Sequence, residues 1–429
     1  MGIVIPLILI FFACLIIWRA CDGFEVASEY IGRNLSEGVR GGTINAISSS
    51  IPELFTTLIA LFVLADRDGF AVGIGTTAGS ALFNGMIIPA TCILAVVGTV
   101  LAGTKVTSVN VSRKVILRDG IALIICEFVL ILLINGERLH WWQGLVMIGM
   151  YAAYLTYMIS SMKSAPRTPE DDDDDSADDL PADDDEARGP MGTLFYWLSG
   201  GPLLNLEGFF IKETHRQQIK EERWNGWPLL LASTVVIGIA CWFLVVACEW
   251  LGTGNDAHPS YTLFGNEYVG LGIPAMFVAV IFASMATSVP DTVMSVRDAL
   301  DGDYDDAVAN ALGSNIFDIC FALGFPLFLF TLIDGPIKMT PQIAEQSGEL
   351  RLLLLMLTII GFFVYFFGKK QRTAEGVEYV EMKRGKAFSL LAIYIVFVVY
   401  IIGRSVNSPV AHTISLWLQK ILVLLPNLG

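Results

Sequence analysis

Charge is scarce in this chain. Asp, Glu, Lys and Arg make up 16% of its 429 residues, against roughly 25% in soluble globular domains, which argues against an ordinary water-soluble fold. Histidine is scarcer still: His140, His215, His258 and His412 are scattered, so a histidine metal cluster is not expected. The seven cysteines show no CxxC spacing, and neither a zinc site nor a disulfide framework is indicated; they read as small packing residues. No basic footprint for nucleic acid is present. No triad, phosphate loop or metalloprotease signature is visible, so the chain reads as no enzyme and as needing no cofactor.

What is abundant is apolar length. Hydrophobic residues reach 54% and mean hydropathy is +0.62. A membrane-spanning helix needs about 20 mostly apolar residues, and about ten such runs occur: 3–20, 38–64, 70–102, 115–135, 141–161, 227–250, 268–298, 306–333, 350–368 and 386–403. The expected class is therefore an all-α membrane protein. Residues 3–20 read as its first span rather than a cleaved signal, because a basic n-region is missing and Arg19 follows the apolar run. The apolar stretch from His412 to Leu428 is short, and reads as an interfacial or packing helix.

The formal net charge of −15 is concentrated. The block Glu170 to Glu186 holds twelve acids, with prolines around it, and reads as a solvated, self-repelling linker between halves; weak cation collection at a pore mouth is the sharper alternative. Lysine and arginine favour the cytoplasmic side. With both termini outside, the inner loops gather about 21 of the 27, which places the acidic loop in the cytoplasm.

One stretch occurs twice. Ser49-Ser50-Ile51-Pro52-Glu53 returns as Thr287-Ser288-Val289-Pro290-Asp291. Glu53 is followed 26 residues later by Gly79-Ser80-Ala81-Leu82-Phe83-Asn84, and Asp291 is followed 22 residues later by Gly313-Ser314-Asn315-Ile316-Phe317-Asp318. An acid at the bilayer centre costs roughly 3 kcal/mol on insertion scales, and a proline there frees backbone groups that only protein, water or a ligand can satisfy. Lying five spans apart, the two copies cross the membrane in opposite directions, the pattern of inverted repeats with broken helices at the midplane. The candidate groups are all oxygen donors: Glu53, Asp291, Asp318, Asn84, Ser49, Ser50, Ser80, Thr287, Ser288 and Ser314. Six to eight such oxygens suit calcium, where soft metals prefer sulfur or imidazole; the same cage suits sodium.

Three further features have plainer readings. Glu127 could face a polar cavity, but reads first as an interhelical partner. Residues 298–306 resemble an EF-hand loop yet lack its glycine and its bidentate Glu at the required positions, and read as a solvated turn. The ninth and tenth runs, without buried charge in their centres, read as peripheral support.

At the two motifs the chain resembles the sodium/calcium exchanger family of cation/calcium exchangers, and most resembles its potassium-dependent branch. The resemblance implies that Glu53 and Asp291 are the central calcium ligands, with Ser50, Ser80, Thr287, Ser288 and Ser314 around them. Ser49, Asn84 and Asp318 match positions lining sodium or potassium sites. Where the family commonly has glycine before the hydroxyl pair, this chain has Ser48 and Ala286, which favour helix over unwinding.

The expected organisation is a first five-helix repeat over 1–161 with its motif at 41–90 and a cytoplasmic acidic loop over 162–226. A second five-helix repeat follows over 227–403 with its motif at 280–326, then an amphipathic tail over 404–429. The expected activity is exchange of calcium for sodium across the bilayer by alternating access, with potassium co-transport possible. A proton-coupled calcium exchanger, a passive cation channel and a scaffold without transport are the rival readings.

Overall fold

The computed structural model describes residues 1–31, 41–63, 69–101, 104–136, 138–162, 193, 196–256, 258–372 and 377–426. The acidic block Glu170–Glu186 lies outside them. In chain order the first half forms α1 (Val4–Ile31), α2 (Ala46–Ser49), α3 (Ile51–Phe62), α4 (Gly69–Leu82), α5 (Ile88–Val96), α6 (Arg113–Leu133) and α7 (Trp141–Met162). Two short helices, Leu206–Phe210 and Glu213–Lys220, precede α8 (Trp227–Gly252), α9 (Ala275–Val278), α10 (Ser284–Thr287), α11 (Val289–Asp301) and α12 (Tyr304–Phe317). The chain continues through α13 (Gly324–Ile333), α14 (Pro341–Phe366), α15 (Arg384–Ser405) and α16 (Pro409–Leu422).

Helices occupy all ten apolar intervals. Six among the described residues are long and apolar enough to cross a membrane, or up to eight if each of two bent pairs counts as one span. The expectation of about ten spans exceeds that measure, and α6 shows why. Each of its 18-residue windows contains Arg118, Asp119 and Glu127, more charge than the measure allows.

The bent pairs are the two motif helices. Thr43–Ser49 meets Ile51–Phe62 at 44°, and Ala275–Thr287 meets Val289–Asp301 at 42°. Each bent helix packs against the long helix of the other half: α4 lies along α9 and α10, and α12 lies along α2 and the turn before it. Glycine permits the approach. A Cβ on Gly75 would stand 2.5 Å from the Met276 carbonyl oxygen, and one on Gly79 only 2.1 Å from that of Val280. Small residues at such crossings let backbones meet where lipid supplies no hydrophobic drive.

α1 packs along α8, and an apolar cluster through Ile17, Ala20, Cys241 and Leu244 joins the pair to Ala60 of α3, Val72 of α4 and Ala283 and Ala286 beside the second bend. A second and larger cluster joins α4 to α7 with α12 to α16. Away from the helices, strand Val109–Ser112 pairs antiparallel with Glu378–Met382, which pairs with Lys370–Arg372. This ties the loop before α6 to the loop before α15. Beside it, Arg113 donates to Glu378 at 2.8 Å and holds that exposed carboxyl below its ordinary range.

No charge is buried at the centre of the ninth run, but α14 begins nine residues before the apolar interval at 350–368 and buries Glu349 and Arg351 at its margin, 3% and 1% exposed. Glu349 accepts hydrogen bonds from Tyr400, from Ser415 at 2.7 Å and from Arg404 at 2.8 and 3.2 Å. This network fastens α15 and α16 to α14, so the tail helix is a packing element. The expectation for the turn at 298–306 is corrected: it is not simply solvated. Gly302, at φ +105°, closes α11, but Asp305 accepts from the Ser112 backbone at 2.6 Å and Asp306 is buried.

The close crossing gives a test. Gly79→Ala should lower the thermal stability of the detergent-purified protein by about 1–3 kcal/mol through overpacking. Gly149→Ala, at a position open to space on α7, should leave the melting temperature unchanged or slightly raised.

Candidate functional site

Proline sets the site's backbone. Pro52 and Pro290 stand second in α3 and α11, where the missing N–H is tolerated. The same absence leaves the carbonyls of Ser48 and Ala286, four residues earlier, without their helical donor. The helix bends at the residue between: Ser50 has φ −95° and ψ 7°, and Ser288 has φ −84° and ψ 3°. Each bend starts a new helix whose first turn holds an acid, Glu53 or Asp291, so positive helix ends face the carboxylates. Ser48 and Ala286 remain helical, so the chain bends rather than unwinds. Ser48 also donates to Ile44 O at 2.7 Å and meets Ser28 at 2.6 Å.

The other ligand candidates sit on the long helices. Ser80 lies on α4 and Asn84 in a π turn at Phe83–Ile87; Ser314 lies on α12 and Asp318 opens a π turn at Asp318–Ala322. Further π turns at Gly41–Asn45 and Ala279–Ala283 precede the two bends. Corresponding places in the two motifs thus carry the same irregularity, of a kind frequent at functional sites.

All ten predicted residues come together in the interior, each 1% exposed or less. Asp291 Oδ1 accepts from Ser49 at 2.5 Å and from Ser314 at 2.6 Å. Ser80 lies 3.2 Å from Glu53 Oε1, 2.9 Å from Asp318 Oδ2 and 3.0 Å from Ser288. Asn84 joins the two groups, its amide donating to Ser80 at 3.2 Å and reaching Asp291 Oδ2 at 3.5 Å. Thr287 sits beside Glu53 while donating to its own helix at Ala283 O, 3.1 Å away. Ser50 sits beside Asp318.

The cluster has more acceptors than donors. Ser80 carries one hydroxyl proton and faces two carboxylates. Glu53 Oε2, Asp318 Oδ1, Asn84 Oδ1 and Ser50 Oγ are buried with no hydrogen-bond partner. Among the described residues no ion pair includes Glu53, Asp291 or Asp318. Nor do three His, Cys, Asp or Glu side chains there form a ready metal centre on their own. Hydroxyl, amide and backbone oxygens would have to complete any cation's shell, as hard cations accept. The motif spacing did not disclose Asn315, whose amide donates to Ala81 O across the halves at 2.8 Å, or buried Thr56 with its unpartnered hydroxyl.

A helical membrane protein with two bent helices around a buried, oxygen-lined and acceptor-rich centre is the class that this fold and site define. The chain belongs to the sodium/calcium exchanger protein family, which it matches over residues 5–160 and 225–403. Sodium/potassium/calcium exchanger 3 of Homo sapiens is 40% identical over 141 residues, 32% of this chain and 20% of that protein. The chain thus matches only about a fifth of that relative's length. Sodium/potassium/calcium exchanger 5 of Homo sapiens is 25% identical over 391 residues, covering 78% of this chain and 72% of the relative. The crystal structure of the H+/Ca2+ exchanger CAX shares the fold, with TM-score 0.55 and 12% identity over 97% of this chain and 84% of that one.

The hydrogen bonds at Asp291 can be weighed directly. Ser314→Ala should lower stability by about 1.5–3 kcal/mol, the usual worth of a bond to a charged group, and by clearly less in an Asp291→Asn background. Equal losses in both backgrounds, read from thermal melts as a double-mutant cycle, would show that the two side chains do not interact.

Proposed function

We propose that the protein is a secondary antiporter that exchanges calcium for sodium by alternating access. The observation that carries this is the set of three fully buried carboxylates, Glu53, Asp291 and Asp318, drawn from both motifs and bonded to no cationic side chain among the described residues. Such a group is stable only when a cation or protons offset its charge. In this reading Glu53 and Asp291 hold calcium, with Ser50, Ser80, Thr287, Ser288 and Ser314 completing an oxygen shell of the kind calcium takes. Ser49, Asn84 and Asp318 line monovalent sites, and the relatives' names support a potassium ion among the cargo.

If the centre cannot tolerate an empty set of carboxylates, loading by calcium or by sodium is the condition for movement, and that condition produces exchange instead of leak. The α1–α8 pair, which meets the central helices through an apolar cluster, is the element that slides across the loaded core. We assign the two motifs to inverted five-helix repeats at 1–161 and 227–403, the loop 162–226 to the cytoplasm and both termini to the outside, readings supported by span parity and the lysine and arginine distribution.

Calcium uptake into sodium-loaded proteoliposomes tests the coupling. Uptake should require an outward sodium gradient and rise with external potassium, and the potassium effect should be lost in Asp318→Asn. Uptake indifferent to sodium and driven by a pH gradient would overturn sodium coupling. Glu53→Gln should abolish calcium binding in calorimetry while the melting curve stays cooperative; unchanged affinity would remove Glu53 from the site.

A further inference from the structure

The three-stranded sheet gathers basic side chains at one end of the helical body. Its order leaves Lys370–Arg372 as an outer strand, paired on one side only. Lys369 and Lys370 with Arg372 stand on or beside that strand, Lys105 precedes Val109–Ser112, and Lys114 follows it in α6. All five are exposed. The sheet's own acids are already engaged, Glu378 by Arg113 at 2.8 Å and Glu381 by Lys383 at 2.9 Å. Among the described residues no ion pair includes Lys105, Lys114, Lys369 or Lys370. Lysine on an open strand edge discourages pairing with a further strand, which leaves positive charge as the feature that a partner would read.

The chain carries the complement. Glu170 to Glu186 holds twelve acids and no Lys or Arg, and it begins eight residues after α7 ends at Met162. That end of α7 lies at the sheet's end of the body. α6 and α7 follow one another through a short connection and run antiparallel, and Tyr154 of α7 donates to Asp119 of α6 at 3.2 Å. From this contact α7 continues about 12 Å to its end, while α6 runs back about 9 Å to Arg113 beside the sheet. Eight more residues reach up to about 28 Å, enough to bring Glu170 over the lysines.

We infer that the basic face formed by Lys105, Lys114, Lys369, Lys370 and Arg372 is the docking surface for the acidic segment Glu170–Glu186. The contact is electrostatic. A run of aspartates is a poor strand former, so ammonium groups rather than edge backbone hold it, and salt weakens it by shortening the screening length to about 3 Å at 1 M. A lipid surface of negative charge would match the same cations. The linker is favoured because it is tethered beside the face, which gives it a high effective concentration there. Docked in this way, the segment between the two halves is fastened to a sheet built from loops of both. The inference is independent of what the protein transports.

Zero-length carbodiimide cross-linking of the whole chain in detergent, followed by peptide mapping, tests it. Bonds should join acids of 170–186 to Lys369, Lys370, Lys105 or Lys114 at about 50 mM salt and fall at least tenfold at 1 M. In the triple variant Lys369→Glu, Lys370→Glu, Arg372→Glu an aspartate-specific protease should cut the segment about fivefold faster than in the wild type at low salt and at the same rate at 1 M. A cooperative melting curve checks that this variant is folded; if it is not, the salt series on the wild type decides alone. Cross-links confined to Lys163 and Lys212 in the linker's own flanks overturn the inference, as do cross-links found only between molecules or a cleavage rate that neither salt nor the variant alters. Binding of the protein to vesicles of acidic phospholipid that depends on the five basic residues, with no cross-link to the segment, would assign the face to the membrane and overturn it too.

Discussion

Uncompensated negative charge in an apolar interior is the constraint on which the rest of this structure depends. Glu53, Asp291 and Asp318 are fully buried, each at a cost of roughly 3 kcal/mol or more at membrane depth. The fold answers with short-range measures. Two helices bend at Ser50 and Ser288 so that their N-terminal ends meet the acids, and hydroxyls supply hydrogen bonds at 2.5–3.2 Å. These measures leave several acceptor oxygens unpartnered. A hard cation is what the remaining oxygens suit.

The second principle is reciprocity between the halves. Ser49 of the first motif serves Asp291 of the second, and Thr287 of the second stands beside Glu53 of the first. Ser80 on α4 serves both Glu53 and Asp318. Neither half holds a finished site, so the geometry of the cage depends on how closely α4 and α12 cross the opposite bent helices. Gly75 and Gly79 set the α4 distance. A shift at either crossing is therefore felt at the clustered oxygens.

Much of this was legible in the chain, and the misses have physical causes. Apolar length located the long helices but not the polar helix Glu213–Lys220, and the duplicated proline–acid pair located the buried oxygen cluster, because both are properties of local composition. The burial of charge at the ninth run's margin has no local signature. Glu349 becomes interior only when Tyr400, Arg404 and Ser415 of two later helices close over it, and Arg351 only when it meets the Ile134 carbonyl 217 residues earlier. Asp305 misled in the same way, since its partner Ser112 lies 193 residues earlier. The π turns at Asn84 and Asp318 leave no mark in hydropathy, because an inserted residue changes backbone register without changing composition.

The sequence by itself determined that this is a helical membrane protein and that two matched segments carry acid, hydroxyl and proline in one order. It also determined where each helix bends, because a proline removes its own N–H wherever the chain goes. Only the tertiary structure decided which acid each hydroxyl serves and which polar oxygens are left over. Ser49 and Asp291 are 242 residues apart, and their 2.5 Å contact exists because the bent helices of the two halves pack against each other. The motif set the donors; their meeting at one buried centre came from packing.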